Sequence, residues 1–228
     1  KFYYELLDPF VSISAAAAVT KKVKLATGIC LVGQRDPIQV AKVVASIDQI
    51  SDGRFLFGVG GGWNAEEMAN HGTTDFKARF KLMDERVEAI QTIWGNEEPE
   101  YHGQFVEFGP MMTWPKPVQK SNPPIIVGGG FPYGARRAIK YGDGWMPLGG
   151  RIDVIGLASE FRLLASQLGR DPSKLSITSF LPEPEEDYIA KAADAGVDRI
   201  VFGLLPHSRE AVFPLLDKFA EMGQKWSS

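Results

Sequence analysis

Two runs of three glycines are the residues of this chain best suited to bind an anion. Gly60–Gly62 follow the apolar segment Phe55–Val59, and Gly128–Gly130 follow Ile125–Val127. Glycine leaves the backbone N–H groups open to a ligand. A helix predicted after the second run, with Pro132 in its first turn, adds unpaired amides and the positive end of its dipole, which favour phosphate. A strand-to-helix turn without a ligand is the alternative interpretation.

Other side chains that could do chemistry also have a structural interpretation. Glu66 and Glu67 fall in the first turn of a helix that Asn64 can cap, where carboxylates stabilise the helix whether or not they are catalytic. Cys30 has no evident histidine or aspartate partner, which favours a buried apolar thiol over a nucleophile.

Strand and helix patterns alternate along most of the chain and should position these residues. Strands are predicted at Val23–Gly28, Phe55–Val59, Ile125–Val127, Trp145–Pro147, Leu175–Phe180 and Arg199–Phe202. Helices are predicted at 9–19, 37–50, 134–141, 154–168, 187–195 and 209–222. A further helix is indicated by an apolar stripe at helical spacing, expected to face the core: Phe80, Met83, Val87, Ile90 and Trp94. Repeated strand–helix units indicate a parallel sheet covered by helices.

Residues 95–122 interrupt the alternation. Tyr101–Phe108 is typical of a small hairpin that turns at His102–Gly103, and the segment MMTWPKP after it is typical of an irregular crossing. We therefore predict an insertion within a single domain that covers residues 1–228.

The predicted strands number about six, whereas a closed (β/α)8 barrel needs eight. We predict a TIM barrel that lacks its first strand–helix–strand unit in this chain, with an open doubly wound sheet of six strands as the competing architecture. In either fold the ligand binds at the carboxyl ends of the strands. Gly28, Ile29 and Cys30 lie there after the first strand, as do both glycine runs.

Composition excludes several classes of function. The net charge of −3 and the scattered basic residues argue against a nucleic-acid partner. No apolar run approaches the roughly 20 residues of a membrane helix, and one cysteine among 228 residues favours a cytoplasmic protein. We predict no metal site, because the three histidines lack metal-ligand spacing (His71, His102 and His207).

Three sequence blocks are distinctive: LATGICLVGQRDP at 25–37, SDGRFLFGVGGGWNAEE at 51–67 and PPIIVGGGFPYGARRAIKYGDGW at 123–145, with PKPVQ at 115–119 between them. Together they resemble the bacterial luciferase-like monooxygenase superfamily. Within the superfamily the chain looks most like the branch that uses the deazaflavin coenzyme F-420 rather than FMN. The resemblance implies a (β/α)8 barrel with an insertion, a cofactor across its carboxyl-end mouth, a small organic substrate and a homodimer.

The resemblance also implies positions for the cofactor. A non-proline cis peptide is expected at Gly28–Ile29, against the cofactor ring. The remaining implied contacts are Gly60, Gly61 and Gly62 for ring or tail, and Gly129, Gly130, Phe131, Pro132, Tyr133 and Gly134 for the phosphate. Some relatives carry an acid–base glutamate where this chain has Trp63, so we name no catalytic residue. Trp63, Trp114 and Tyr133 could form an aromatic wall for a substrate, but plain packing is the favoured interpretation of each.

The predicted function is thus an oxidoreductase, with F-420-dependent hydride transfer to or from a small organic molecule. An FMN-dependent monooxygenase that uses dioxygen is the alternative within the family. Two alternatives come from other classes: a barrel that binds a phosphorylated sugar, and a cofactor-binding protein without catalysis.

Overall fold

Parallel strands followed by helices make up most of the computed structural model, which describes residues 5–120, 122–204 and 206–226. The strands are β1 (Leu25–Ala26), β2 (Cys30–Leu31), β3 (Phe55–Gly60), β4 (Tyr101–His102), β5 (Glu107–Phe108), β6 (Ile125–Gly128), β7 (Gly144–Met146), β8 (Ser176–Phe180) and β9 (Arg199–Val201). The helices are α1 (Pro9–Val19), α2 (Pro37–Ser51), α3 (Ala65–Asn70), α4 (Arg79–Gly95), α5 (Tyr133–Tyr141), α6 (Val154–Gln167), α7 (Glu186–Asp194) and α8 (Arg209–Trp226). The predicted alternation is confirmed.

The order of the strands identifies the architecture. The main sheet runs β1-β3-β6-β7-β8-β9, with β2 also paired to β3, and every pair in it is parallel. Strands that follow one another in the chain therefore lie side by side without a reversal. A doubly wound sheet would reverse its strand order at a switch point, whereas a (β/α) barrel does not. The described sheet is an open part of a barrel, with β9 at one edge.

The first predicted strand, Val23–Gly28, is wrong in its extent. Only Leu25–Ala26 of it forms a strand, β1, and the separate strand β2 follows it. The peptide bond between Gly28 and Ile29 is cis, as the family resemblance implies.

Side chains alternate between the two faces of the sheet, as expected for strands covered on one side by helices. Phe55, Phe57 and Val59 of β3 belong to the large core beneath the helices. Leu56 instead belongs to a smaller apolar cluster with Ile126 and Met146, against which Ile29 and Phe180 pack. This smaller cluster is the inside of the barrel.

The helices begin where capping residues predict them. The Asp8 carboxylate accepts hydrogen bonds from the amides at the start of α1, and Pro9 follows it. Asp36 and Pro37 repeat the arrangement at α2, and the Asn64 side chain caps α3. A side-chain acceptor satisfies amides that have no partner within the helix.

The insertion packs along the outside of α2. The Asp48 carboxylate is fully buried and accepts hydrogen bonds from the amides of Val118 (2.8 Å) and Gln119 (3.0 Å) and from the Gln119 side chain (2.7 Å). Strands β4 and β5 pair as the predicted hairpin, but its turn covers residues 103–106 rather than His102–Gly103. The turn lies later because the Gly103 amide donates to the Val106 carbonyl.

Neither a membrane helix nor a metal site is found among the described residues. No helix there has both the length and the apolar character to cross a membrane. Within the same ranges, no cluster of three or more His, Cys, Asp or Glu side chains could hold a metal ion.

Candidate functional site

A cavity of about 380 Å³ opens at the carboxyl ends of the strands, inside the partial barrel. Its volume lies within the range of about 300–1,000 Å³ that is usual for small-molecule sites. The lining consists of Gly28, Ile29, Leu31, Gly60, Gly61, Gly62, Trp63, Phe80, Gly128, Gly129, Gly130, Met146, Leu148, Arg151, Ile152 and Phe180. Seven of the predicted cofactor contacts are therefore brought together: Gly28, Ile29, Gly60, Gly61, Gly62, Gly129 and Gly130.

The floor of the cavity is built around the Ile29 side chain. A Cβ atom added to Gly60 would overlap Ile29 Cδ1, and one added to Gly128 would lie 3.1 Å from Ile29 Cγ2. Phe180 reaches the same floor from β8, where its ring would lie 2.7 Å from a Cβ on Gly28. These glycines are therefore required for the packing of Ile29 and Phe180, whether or not a cofactor also contacts them. Sequence reasoning had related Gly28 and Gly60 to the cofactor only.

One wall of the cavity is Phe80, from the first turn of α4. A Cβ on Gly61 would lie 2.6 Å from the Phe80 ring. Two guanidinium groups stack on this ring, with Arg137 Cζ 4.0 Å and Arg79 Cζ 4.3 Å from its centroid. Such cation–π contacts hold an aromatic side chain in place. Phe80 packs against the core as predicted, but it is half-buried and also lines the cavity.

Phe80 is the exception within its apolar stripe. The other members are buried as predicted: Met83, Val87, Ile90 and Trp94. The stripe begins near the mouth of the barrel, so its first residue both packs against the core and lines the cavity. Helical spacing alone does not predict which member of the stripe will reach the cavity.

The glycine turn after β6 is shaped to expose its backbone. Gly129 has φ +130°, a conformation that favours glycine. A Cβ on Gly134 would lie 2.6 Å from the Gly129 carbonyl carbon, so the start of α5 also requires a glycine to pack against the turn. No described residue accepts a hydrogen bond from the amides of Gly130 or Phe131. Two backbone donors are thus available beside the cavity, as a phosphate cradle requires.

The remaining predicted contacts of this loop support the turn and do not line the cavity. The Phe131 ring packs edge-on against Trp145, 6.0 Å between centroids. Pro132 follows a cis peptide bond and precedes α5, which begins one residue earlier than predicted, at Tyr133. The Tyr133 side chain is 74% exposed.

Cys30 was predicted as a cofactor contact, but its side chain is 2% exposed and lies in the core beneath the helices. The next residue, Leu31, lines the cavity instead, because neighbouring side chains of a strand point to opposite faces. Burial raises the pKa of the Cys30 thiol to about 12, so it is uncharged at neutral pH. These properties match a structural thiol.

An aromatic wall made of Trp63, Trp114 and Tyr133 does not form. Trp63 lines the cavity, but Trp114 lies in the insertion, where its carbonyl accepts a hydrogen bond from Lys42 Nζ (3.1 Å). Tyr133 also lies outside the lining. The aromatic side chains of the described lining are Trp63, Phe80 and Phe180.

Among the described lining residues, Arg151 carries the single ionisable side chain. Glu66 and Glu67 are exposed in the first turn of α3 and lie outside the lining. The described part of the cavity thus offers an apolar surface, open amides and one cation. It offers no carboxylate, imidazole or thiol as a proton donor or acceptor.

A second cavity, of about 530 Å³, lies between β9 and α8. Apolar side chains dominate its lining, including Ile189, Leu216 and Phe219. The glycine turns do not border this cavity, so it lacks the open backbone that distinguishes the first.

Comparison with known proteins relates this geometry to a family. The sequence model that describes the luciferase-like monooxygenase family matches residues 1–184. The uncharacterized protein Rv0953c of Mycobacterium tuberculosis is 34% identical over 218 residues, which cover 96% of this chain and 77% of that protein.

Two relatives with a named activity differ in cofactor. One is the F420-dependent hydroxymycolic acid dehydrogenase of M. tuberculosis, 27% identical over 82% of this chain and 52% of that protein. The other is the FMNH(2)-dependent dimethylsulfone monooxygenase of Pseudomonas putida, 28% identical with the same two coverages, 82% and 52%. The chain spans about half the length of each of these two relatives.

A solved structure supports the architecture. An F420-dependent secondary alcohol dehydrogenase superposes with a TM-score of 0.75, at 19% identity, over 89% of this chain and 81% of that one. At this identity the match bears on the fold alone, and it agrees with the barrel-type strand order.

Proposed function

Because the chain belongs to the luciferase-like monooxygenase family, a family of oxidoreductases, we propose that it binds a deazaflavin, coenzyme F-420, in the cavity within the barrel. The proposed reaction is hydride transfer to or from a small organic substrate. When bound, this cofactor supplies a ring carbon that accepts or delivers hydride. The relative named for F420 supports the choice.

The observation that carries the proposal is an apolar cavity beside a glycine turn with open amides. A planar ring suits the apolar part, where Ile29, Met146 and Phe180 form the floor. A phosphate suits the backbone of Gly129 and Gly130, whose neighbouring turn residues Phe131, Pro132, Tyr133 and Gly134 would hold the cradle in shape. The residues present thus fit the two chemically different parts of a flavin-type cofactor.

The protein's part in the reaction would be binding, orientation and exclusion of water. Phe80, fixed by its stacked arginines, would support one side of the ring, and Trp63 at the rim would meet the substrate. We assign no residue to proton transfer, since the described lining contains no acid or base besides Arg151.

FMN-dependent monooxygenation is the second candidate. It is supported by the P. putida relative, whose identity to this chain, 28%, is close to the 27% of the F420-dependent one. FMN has the same division into a planar ring and a phosphate, so the cavity suits both cofactors. The ring chemistry separates them: the nitrogen that deazaflavins lack is needed for ordinary flavin oxygen chemistry.

The two hypotheses outside the redox enzymes have less support. A phosphorylated sugar presents hydroxyl groups, which the mainly apolar lining would leave without hydrogen bonds. A cofactor-binding protein without catalysis fits the absence of an acid or base in the described lining. Measured turnover would argue against it.

The proposal includes a homodimer in the cytoplasm. Helix α1 offers a surface for self-association, because Val11 and Val19 are 66% and 83% exposed. Sedimentation velocity would test the dimer: one species with twice the mass of the chain supports it, and a monomer at micromolar concentration contradicts it.

Fluorescence titration tests the choice of cofactor. The protein is mixed separately with coenzyme F-420 and with oxidised FMN, and quenching of each cofactor is followed. Tighter binding of F-420 supports hydride transfer, whereas tighter binding of FMN supports the monooxygenase. The variant Gly129→Ala, strained by its φ of +130°, should weaken both. Binding of neither cofactor by the wild type contradicts both redox proposals.

A further inference from the structure

The charge that borders the cavity comes from the loop after β7. Arg151 lies in this loop and lines the cavity, while its amide donates to the Leu148 carbonyl (3.0 Å). The amide of Gly149 donates to the Phe180 carbonyl at the end of β8 (2.7 Å). Because these backbone hydrogen bonds anchor the loop to the sheet, the position of Arg151 at the cavity is set by the fold.

The guanidinium group of Arg151 has no partner among the described residues. It forms no hydrogen bond, ion pair or ring contact with any described residue. Arg54 is different: its guanidinium donates to the carbonyls of Ser51, Val23, Ala17 and Thr20 and to the Thr20 hydroxyl. An arginine offers five N–H donors and keeps its charge, so Arg151 can still bind a planar anion with two parallel hydrogen bonds.

Arg151 also adjoins the open amides of the glycine turn. The neighbouring Ile152 places its Cδ1 atom 3.4 Å from the position of a Cβ on Gly130. Two adjacent loops therefore carry hydrogen-bond donors that have no acceptor among the described residues: the amides of Gly130 and Phe131 and the guanidinium of Arg151. Gly130 and Arg151 line the same apolar cavity, and Phe131 follows Gly130 in the turn beside it.

We propose that Arg151 determines specificity by pairing with an anionic group, a phosphate or a carboxylate, of the ligand whose ring occupies the cavity. The ligand class is thus a planar apolar ring that carries an anion. The inference rests on the proposed function for the identity of the ring. The anion has two possible sources, the phosphate of the cofactor or an acidic group of the substrate.

The experiment compares Arg151→Gln with the wild type on ligands that differ in one anion. FMN is paired with riboflavin, and the 5′-phosphate of the deazaflavin chromophore with the chromophore itself. Losing a charge-assisted pair should weaken binding of the phosphorylated members by about 10- to 100-fold and leave the others unchanged. Arg151→Lys should lie in between, because lysine keeps the charge but not the planar fork. Lys174→Gln is the control, since Lys174 is exposed before β8, at the opposite end of the sheet.

A substrate anion gives a different result. In that case the cofactor affinities of Arg151→Gln stay at the wild-type values. Naphthoate and naphthamide share a ring and differ in charge, and the wild type loaded with cofactor should bind naphthoate more tightly. Arg151→Gln loaded with cofactor should bind the two equally. Either selective loss supports the inference.

Two results would overturn the inference. One is equal weakening of charged and neutral ligands, which would make Arg151 a structural residue, and the other is no change for any pair. If the wild type binds neither flavins nor deazaflavins, the proposed function fails by itself. The naphthoate comparison on the protein alone still tests Arg151.

Discussion

Replacing Gly60 with alanine tests the packing at the floor of the cavity. Gly60 is buried at the end of β3, and its φ lies outside the left-handed region, so alanine is allowed by the backbone. The added methyl group would overlap Ile29 Cδ1 and lie 3.0 Å from Ile29 Cγ1. Any loss of stability should therefore come from contact with this one side chain.

The magnitude follows from these contacts. Overpacking of a filled site costs about 1–3 kcal/mol of unfolding free energy. Ile29→Ala alone should cost about 1–2 kcal/mol, below the range for a fully buried isoleucine because Ile29 is half-buried. In the double variant no remaining atom would lie closer to the new methyl group than the Ile29 Cβ, at 3.6 Å, an ordinary van der Waals distance. The double variant should thus be more stable than the sum of the single losses predicts, by about 1–2 kcal/mol.

Urea denaturation of the wild type, both single variants and the double variant measures this coupling, provided that the slope m is the same for all four. Gly95→Ala is the matched control, because its added Cβ at the end of α4 would meet nothing within 4 Å apart from neighbouring backbone of the same helix. Its stability should stay level or rise by up to about 1 kcal/mol, given the higher helix propensity of alanine. Additive losses within about 0.5 kcal/mol would refute the placement of Ile29 over Gly60.

Three further perturbations address the insertion, the thiol and the cavity wall. Asp48→Ala removes the buried acceptor of three hydrogen bonds from Val118 and Gln119 and should lower the unfolding free energy by about 3 kcal/mol, seen as a lower urea midpoint; an unchanged midpoint would contradict the anchoring role. The pKa of Cys30 is raised from 9.0 to about 12 in the folded state, so the unfolded chain loses this proton first and stability should fall as pH rises from about 9 to 12. In this pH range the thiol should lower the unfolding free energy by about 1.4 kcal/mol per pH unit. The unfolding free energy of Cys30→Ala should fall less steeply with pH than that of the wild type, by this amount; equal pH dependence in the two proteins would show that the thiol is not buried. Phe80→Ala should weaken cofactor binding about 3- to 10-fold in the fluorescence titration, whereas unchanged affinity would remove Phe80 from the wall.

The elements that follow simple local rules could be predicted from the sequence. Asp8–Pro9 and Asp36–Pro37 mark helix starts because capping depends on adjacent residues. The glycine turns could be placed at the mouth because an apolar strand and the glycines after it are consecutive in the chain. Parallel strands then bring such turns to one end of the sheet.

Side-chain direction at the mouth was harder to predict. Cys30 follows a strand predicted to end at Gly28, but the chain continues into β2, which buries the thiol and turns Leu31 to the cavity. Phe80 fits a helical stripe whose spacing does not reveal where the sheet ends. Arg151 lies in a loop without periodicity, so only the fold brings it to the cavity.

A crystal structure of the protein with bound deazaflavin would test the central claim most directly. The account predicts that the ring contacts Ile29 and Phe180 on the cavity floor and that the phosphate lies within hydrogen-bonding distance of the Gly130 amide. A cofactor bound between β9 and α8, or a phosphate away from the glycine turn, would contradict it.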